Sequence, residues 1–435
     1  MIFMSNSNER SIKDVVQVEG LTFALYTIYS RAIPHLVDGF KPVHRFFVHS
    51  AAKGGTGFQK VASIAGGVAM YGYHHGETSV EEALSLMAAH WCNNIPLFDR
   101  DGFFGSRLVK KPGAPRYIKC KLSPLFKAIY MDEDLTIPHE DPEHVPPAYY
   151  LPIIPMVLVN GFSGIAKAYA TNIPPHDPIS VLNGCVSYLN GKDFTLDLKY
   201  PHFKGDIENG TIYGKYELQG KTKLVITEIP VKYDRVKYIS ILDKLEEKGY
   251  IVSYKDLSKE DFRYEITLKR EYANGLTREK ILKDFGLIEN SNPNINVIFN
   301  GKLHSYERPE TLLKDFVDIR IGVYQQRIDK RIQETKEALD KALAKVDFID
   351  QMIAQPDALK GLSRSEAVKL VSTWTGCGNH AEILVAMNIY HLTTDERQKL
   401  EDEANELRKQ LKYWEETTPK TEYLNDLKEL SKKLK

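Results

Sequence analysis

Apolar residues recur along this chain in two different rhythms, and the change of rhythm divides it. From Glu310 onward the spacing is helical: Leu312, Phe316, Ile319 and Val323 open a stripe that Ile332, Leu339, Val346 and Ile353 continue at sevens. The stripe returns after residue 391 in Leu400, Ala404, Leu407, Leu411 and Trp414. Sevens keep one seam of a helix facing a partner, so the pattern predicts two long helices in an antiparallel coiled coil, with a short domain at about 354–391 between them. Tyr213 to Ile229 and Phe262 to Lys269 instead alternate apolar with polar, as half-buried strands do, with helical segments between. Before residue 145, short helical patterns alternate with glycine turns. Lys60 to Tyr71 reads as a helix with small residues on its packing face, followed by the turn Gly72-Tyr-His-His-Gly76. In the next helix Val80, Leu84, Met87 and Trp91 share a face, and Thr78 and Ser79 each precede a glutamate by three residues, which predicts overlapping capping boxes. Two helices about a glycine turn form a helix-turn-helix pattern, suited to a DNA major groove.

Composition narrows the class. A chain of 435 residues is too long for one core and should divide into roughly two to four domains. Its hydrophobic content of 43% is that of a globular protein. The formal net charge of zero conceals twelve Lys/Arg against six Asp/Glu between Arg31 and Lys121, a segment able to face a polyanion. Cys92, Cys120, Cys185 and Cys377 lie far apart without zinc spacing, which fits a reducing, intracellular setting. Tyr149 to Val159 is the most apolar stretch, broken by Pro152 and Pro155, and the N-terminus lacks a signal-peptide pattern.

Chemistry concentrates in Pro112-Gly-Ala-Pro-Arg-Tyr-Ile-Lys-Cys-Lys121, where Arg116 and Tyr117 place a guanidinium beside a phenol in a basic run with no carboxylate next to them in sequence. A phenol with a pKa of about 10 attacks weakly at neutral pH unless cations stabilise the phenolate and the charge growing on the phosphoryl oxygens. Arg116 can contact those oxygens with two donors. An Arg-Tyr pair is common by itself, and a surface arginine stacked on a ring is its ordinary meaning.

The motif order changes that weighting. Arg31-Ala-Ile-Pro-His-Leu-Val-Asp-Gly-Phe-Lys-Pro-Val-His-Arg45 resembles the opening signature of the DNA cleavage subunits of type IIA topoisomerases, a family that includes the gyrase A subunit. Asp101-Gly-Phe-Phe-Gly-Ser106 then resembles the segment ahead of the family's nucleophile, and Arg116-Tyr117 falls where its Arg-Tyr pair stands. Val159-Asn-Gly-Phe-Ser-Gly-Ile-Ala-Lys-Ala-Tyr-Ala-Thr-Asn-Ile-Pro-Pro-His176 is nearly the family's text, and Ile389-Tyr-His-Leu-Thr393 is similar to the tip of its exit gate.

The resemblance implies a multidomain α+β protein: an N-terminal arm (1–25), a winged-helix DNA-cleavage domain (26–145), an α+β tower (146–305), coiled-coil arms (306–353 and 392–435) and a helical exit-gate domain (354–391) that dimerises. It implies that Tyr117 attacks a backbone phosphate and holds the 5′ end, with Arg116, Arg31, Lys41 and His75 positioning that phosphate, and that Ile165 wedges between base pairs. His44, Arg45, Lys110, Lys111 and Lys119 become candidate DNA contacts, and Thr78 and Glu82 candidate drug contacts. Tyr73 and His74 replace the first histidine and the proline of the family's His-Pro-His-Gly turn, and Phe46 stands for its second arginine. The family's Mg²⁺ module, Glu…Asp-x-Asp, has no counterpart in the sequence, and the run Asp132-Glu-Asp134 with Glu140, Asp141 and Glu143 reads as a solvated loop. Gly220-Lys-Thr222 lacks the first glycine of a phosphate-binding loop. Mg²⁺ and ATP are therefore expected on partner subunits carrying the metal-binding (toprim) and ATPase modules. With no DNA-wrapping propeller in the sequence, relaxation of supercoils is expected rather than their introduction, in the cytoplasm of a host cell if the chain is phage-encoded. The competing readings are a helix-turn-helix regulator dimerised by its coil, which leaves the Arg116-Tyr117 loop unexplained, and a tyrosine recombinase, whose scattered Arg-His-Arg set is missing.

Overall fold

A computed structural model describes residues 12, 15–167, 169–388 and 393–434. It contains two compact units: residues up to 320 together with 426–435, and residues 321–425.

In the first unit, helices α1 (Pro42–Lys53), α2 (Val61–Gly67) and α3 (Glu77–Ala88) pack with a three-stranded antiparallel sheet of β1 (Gln59–Lys60), β2 (Phe98–Asp101) and β3 (Lys119–Leu122), ordered β1-β3-β2. Phe47, Val61, Ala65, Val80, Leu84 and Ala88 are fully buried, so the helical faces legible in the sequence do form the core. α2 tightens into a 3₁₀ turn, Val68–Tyr71, and ends at Gly72, whose φ of +93° suits only glycine and which an added Cβ would drive into the Glu143 carbonyl. The expected capping boxes do not form. α3 begins at Glu77 with Gly76 as its cap, which leaves Thr78 and Ser79 inside the first turn, where the Ser79 hydroxyl donates back to the Gly76 carbonyl at 2.8 Å.

A four-stranded antiparallel sheet, Ile251–Asp256, Tyr264–Leu268, Lys223–Glu228 and Lys215–Gln219 in spatial order, carries the helix Arg235–Glu247 over a core of Leu224, Ile226, Tyr238, Leu242, Tyr264 and Ile266. Gly220-Lys-Thr222 is the turn joining two of these strands, with Gly220 at φ +73°, rather than a phosphate loop opening a helix. Within the first unit, polar contacts made inside the protein tie this α+β region to the helices and three-stranded sheet. Arg107 donates to Glu228 at 2.7 Å and to the Ile229 carbonyl at 2.8 Å, and the Asn94 amide reaches the carbonyls of Val159, His176 and Lys199.

Helix α4 spans Pro309–Ala354 and α5 spans Thr394–Glu416. Within the second unit, ion pairs Lys336–Glu415 (3.1 Å) and Arg397–Asp350 (2.5 Å) join the middle of α4 to late α5 and late α4 to early α5, which makes them antiparallel. Val346, Ile349 and Leu400 pack in their seam. The stripe differs from expectation at its ends. Leu313, Val317 and Tyr324 are as buried as Leu312 and Phe316, so the start of α4 is a core helix, while Ile353 is exposed. The return arm is not continuous either: α5 stops at Glu416 and a separate helix, α6 (Pro419–Leu434), follows, since Pro419 has no N–H and suits a first turn. The motif Ile389-Tyr-His-Leu-Thr393 falls mainly on residues 389–392, outside the described residues. No helix among the described residues is long and apolar enough to cross a membrane.

Candidate active site

The Arg116-Tyr117 loop enters β3, the central strand of its sheet, and its backbone is held locally. The Tyr117 and Ile118 amides both reach the Ala114 carbonyl, and the Val61 and Ala62 amides of α2 take the Ile118 and Pro115 carbonyls. Ile118 is buried and anchors the loop, which turns Tyr117 outward with 72% of its surface exposed. The Arg116 guanidinium lies 4.9 Å from the Tyr117 ring centroid. A tyrosine this exposed has no packing role to explain it, and its guanidinium neighbour can meet a phosphate arriving at the ring.

Register changes one expectation here. β2 runs against β3 with Asp101 opposite Lys119 and Asp99 opposite Lys121, giving ion pairs of 3.4 and 3.7 Å. The carboxylates absent from the sequence neighbourhood are thus supplied across the sheet, and Lys119 is partly compensated. Lys111 is exposed, whereas Lys110 is half-buried over the Trp91 ring at 5.6 Å and donates to the Val231 carbonyl at 3.5 Å, facing inward.

A second group forms at the glycine turn before α3. Arg31 donates to His75 Nδ1 at 2.8 Å, and since arginine has no acceptor, that nitrogen carries no proton. Nε2 then holds the proton and donates to the Tyr26 hydroxyl at 2.6 Å. Burial, then the charges of Arg31 and His74, hold the His75 pKa below the ordinary histidine value, so the ring is neutral at pH 7. Tyr73 packs edge-on to it at 5.2 Å. Sequence reasoning missed Tyr26, and nothing in its spacing points forward 49 residues to the histidine it meets. Among the described residues, no direct contact joins this group to Arg116-Tyr117.

The signature residues after Arg31 divide by role. Lys41 stands over the Phe162 ring at 5.5 Å, and burial lowers its pKa. Arg45, a candidate DNA contact, is 5% exposed and donates to Asp38 at 2.7 and 3.1 Å. Asp38 is fully buried and also accepts from the Phe40 and Tyr150 amides at 3.0 and 3.1 Å, so the pair holds the fold and is turned away from any duplex. His44, the other candidate, is kept neutral by burial and by the charges of Lys41 and Arg45, and its Nδ1 accepts from the Lys41 amide. It presents no cation to a phosphate. Phe46 is buried against Tyr73 and His144.

Ile165 ends the first strand of the hairpin Phe162–Ile165/Ala170–Ile173 and is 85% exposed. Gly164 beside it is required, because a Cβ there would lie 2.0 Å from the Ala32 carbonyl. Thr78 and Glu82 lie on α3, and both are exposed. Asp132 does not behave as part of a solvated loop: its side chain is buried in an ion pair with Arg320, while Asp141 and Glu143 are exposed. Among the described residues, no group of three or more His, Cys, Asp or Glu side chains is placed to hold a metal ion.

The fold turns a tyrosine outward at the head of a sheet strand, beside arginine and next to a helical pair, and residues 31–432 match the family model that describes the A subunits of DNA gyrase and topoisomerase IV. The chain belongs to that family. It is 44% identical over 440 residues to the DNA topoisomerase medium subunit of Enterobacteria phage T4, covering 97% of this chain and 99% of that one. It is 28% identical over 470 residues to the DNA gyrase A subunit of Staphylococcus epidermidis, covering 97% of this chain and 52% of the gyrase chain. Among solved structures, that of the Plasmodium falciparum topoisomerase II DNA-binding, cleavage and re-ligation domain superposes with a TM-score of 0.83 at 26% identity, over 94% of this chain and 62% of that one.

Proposed function

We propose that this chain is the DNA-cleaving and rejoining subunit of a type IIA DNA topoisomerase, and that Tyr117 is its nucleophile. The observation that carries the reading is the exposed phenol of Tyr117 under the Arg116 guanidinium, on a loop whose backbone is fixed on both sides. The Tyr117 oxygen bonds to phosphorus and gives up its proton. The P–O3′ bond breaks, and O3′ leaves as a hydroxyl by taking up a proton. The phosphotyrosine ester conserves the bond energy, so the reverse attack of O3′ reseals the strand without a cofactor.

Arg116 stabilises charge on the phosphoryl oxygens, and Arg31, held by neutral His75, together with Lys41 orients the phosphate. Ile165 fits an intercalating wedge, since its side chain is exposed and its hairpin is braced. The helices α1–α3 with their three-stranded sheet support a winged-helix reading, the four-stranded region that of a tower, and α4 with α5 that of coiled-coil arms leading to a dimerising exit gate. Mg²⁺ and ATP are assigned to toprim and ATPase partner subunits, and the overall reaction passes one duplex through another.

The test is a detergent-quenched reaction of the chain with its partner subunits and end-labelled duplex. Label is expected on this chain and absent from Tyr117→Phe; a labelled Tyr117→Phe chain would refute the assignment.

A further inference from the structure

Beside α3 lies a cavity of about 390 Å³, within the range of about 300–1,000 Å³ usual for small-ligand sites. Its walls are mainly apolar and rich in aromatic rings, among them Phe40, Trp91, Phe162 and Tyr200, with Leu86 and Met87 of α3 on one side. Two ammonium groups enter it, Lys41 over Phe162 and Lys110 over Trp91. Among the described residues neither makes an ion pair. The other charged groups on the wall are satisfied elsewhere: Asp38 by Arg45 and Arg107 by Glu228. An apolar chamber holding two cations and no uncompensated carboxylate is complementary to one chemical class.

We infer that this cavity is a binding site for an amphipathic organic anion: an aromatic body between Trp91 and Phe162, with a carboxylate, sulfonate or phosphate group meeting Lys110 and Lys41. The inference stands on the cavity and does not depend on the role given to Tyr117. Burial lowers the pKa of both lysines; the Val231 carbonyl and the nearby Asp234 charge offset it only in part at Lys110, so an anion would restore solvation to both. Occupancy would draw Lys41 toward the ligand and wedge α3 against the Asn160–Pro175 segment, which couples the site to the signature residues.

The probe is anilinonaphthalenesulfonate, titrated against the full chain and followed by its own emission and by quenching of tryptophan emission, compared with Trp374→Phe/Trp414→Phe, in which Trp91 is the one tryptophan left. Saturable binding is expected, weakened about tenfold or more in Lys110→Glu, as loss of a charge-assisted contact implies. Uncharged anilinonaphthalene should bind the parent and Lys110→Glu alike. Met87→Trp, which narrows the chamber from the α3 wall, should weaken binding with an unchanged circular dichroism spectrum. Equal sulfonate affinity in parent and Lys110→Glu, or full binding by a folded Met87→Trp, would overturn the inference.

Discussion

Asp38 shows how a single residue can matter without meeting the substrate. Its carboxylate accepts from Arg45, Phe40 and Tyr150 inside the protein, so Asp38→Ala strands a buried guanidinium and should lower stability by about 3–5 kcal/mol in urea denaturation. His35 beside it is pushed down to about 4, chiefly by burial, and its Nδ1 accepts from the Val37 amide, so its folded form is neutral. Unfolded, the ring takes a proton near 6.5, and the unfolded chain therefore binds more protons between pH 6.5 and 4. Stability from this residue is whole above 6.5 and falls as the pH drops toward 4; His35→Phe should flatten the dependence of melting temperature on pH across that window. The ordered motifs made Tyr117, Arg116 and Ile165 conspicuous in the sequence, whereas the exposure of Tyr117 and Ile165 is seen only in the structure. For Arg45 and His44 the signature left a structural role open beside a DNA contact, because a motif reports that residue types recur together and says nothing of which way each side chain faces; the structure pairs Arg45 with Asp38 and buries His44, and it turns Lys110 half inward.

At the scale of elements, periodicity disclosed most helices, since a buried face leaves its spacing in one segment alone. Register left no such trace. Asp101 meets Lys119 only because β2 pairs with β3, and the Tyr26–His75 contact joins segments that no period relates. The hairpin bearing Ile165 provides a clean separation of fold from function. Ile165 is largely exposed, so Ile165→Ala should shift stability by no more than about 0.5 kcal/mol, while the bend of a fluorophore-paired duplex in the reconstituted complex should relax markedly. Gly164→Ala should do the opposite, lowering the melting temperature because its methyl meets the Ala32 carbonyl. An unchanged bend in Ile165→Ala would remove the wedge from the mechanism.

For the whole molecule, the first compact unit buries Phe47 and Leu84 in its helical region and Tyr264 in a further cluster under the four-stranded sheet, while the second unit has its own core around Phe348, Val371 and Cys377. Separate cores in the two units predict that calorimetry resolves more than one heat-absorption peak, and a single peak with matching van't Hoff enthalpy would contradict that. The boundary at residue 320 falls inside the continuous helix α4, which is why apolar rhythm could not locate it: a helix running through two cores keeps one period throughout. Because the strand downstream of Tyr117 is flanked by neighbours on both edges, the phenol has almost no backbone play. On the proposed role of Tyr117, a severed duplex end esterified to so fixed a post would stay where its lost partner can find it, and fidelity of repair would become a matter of carpentry more than of kinetics.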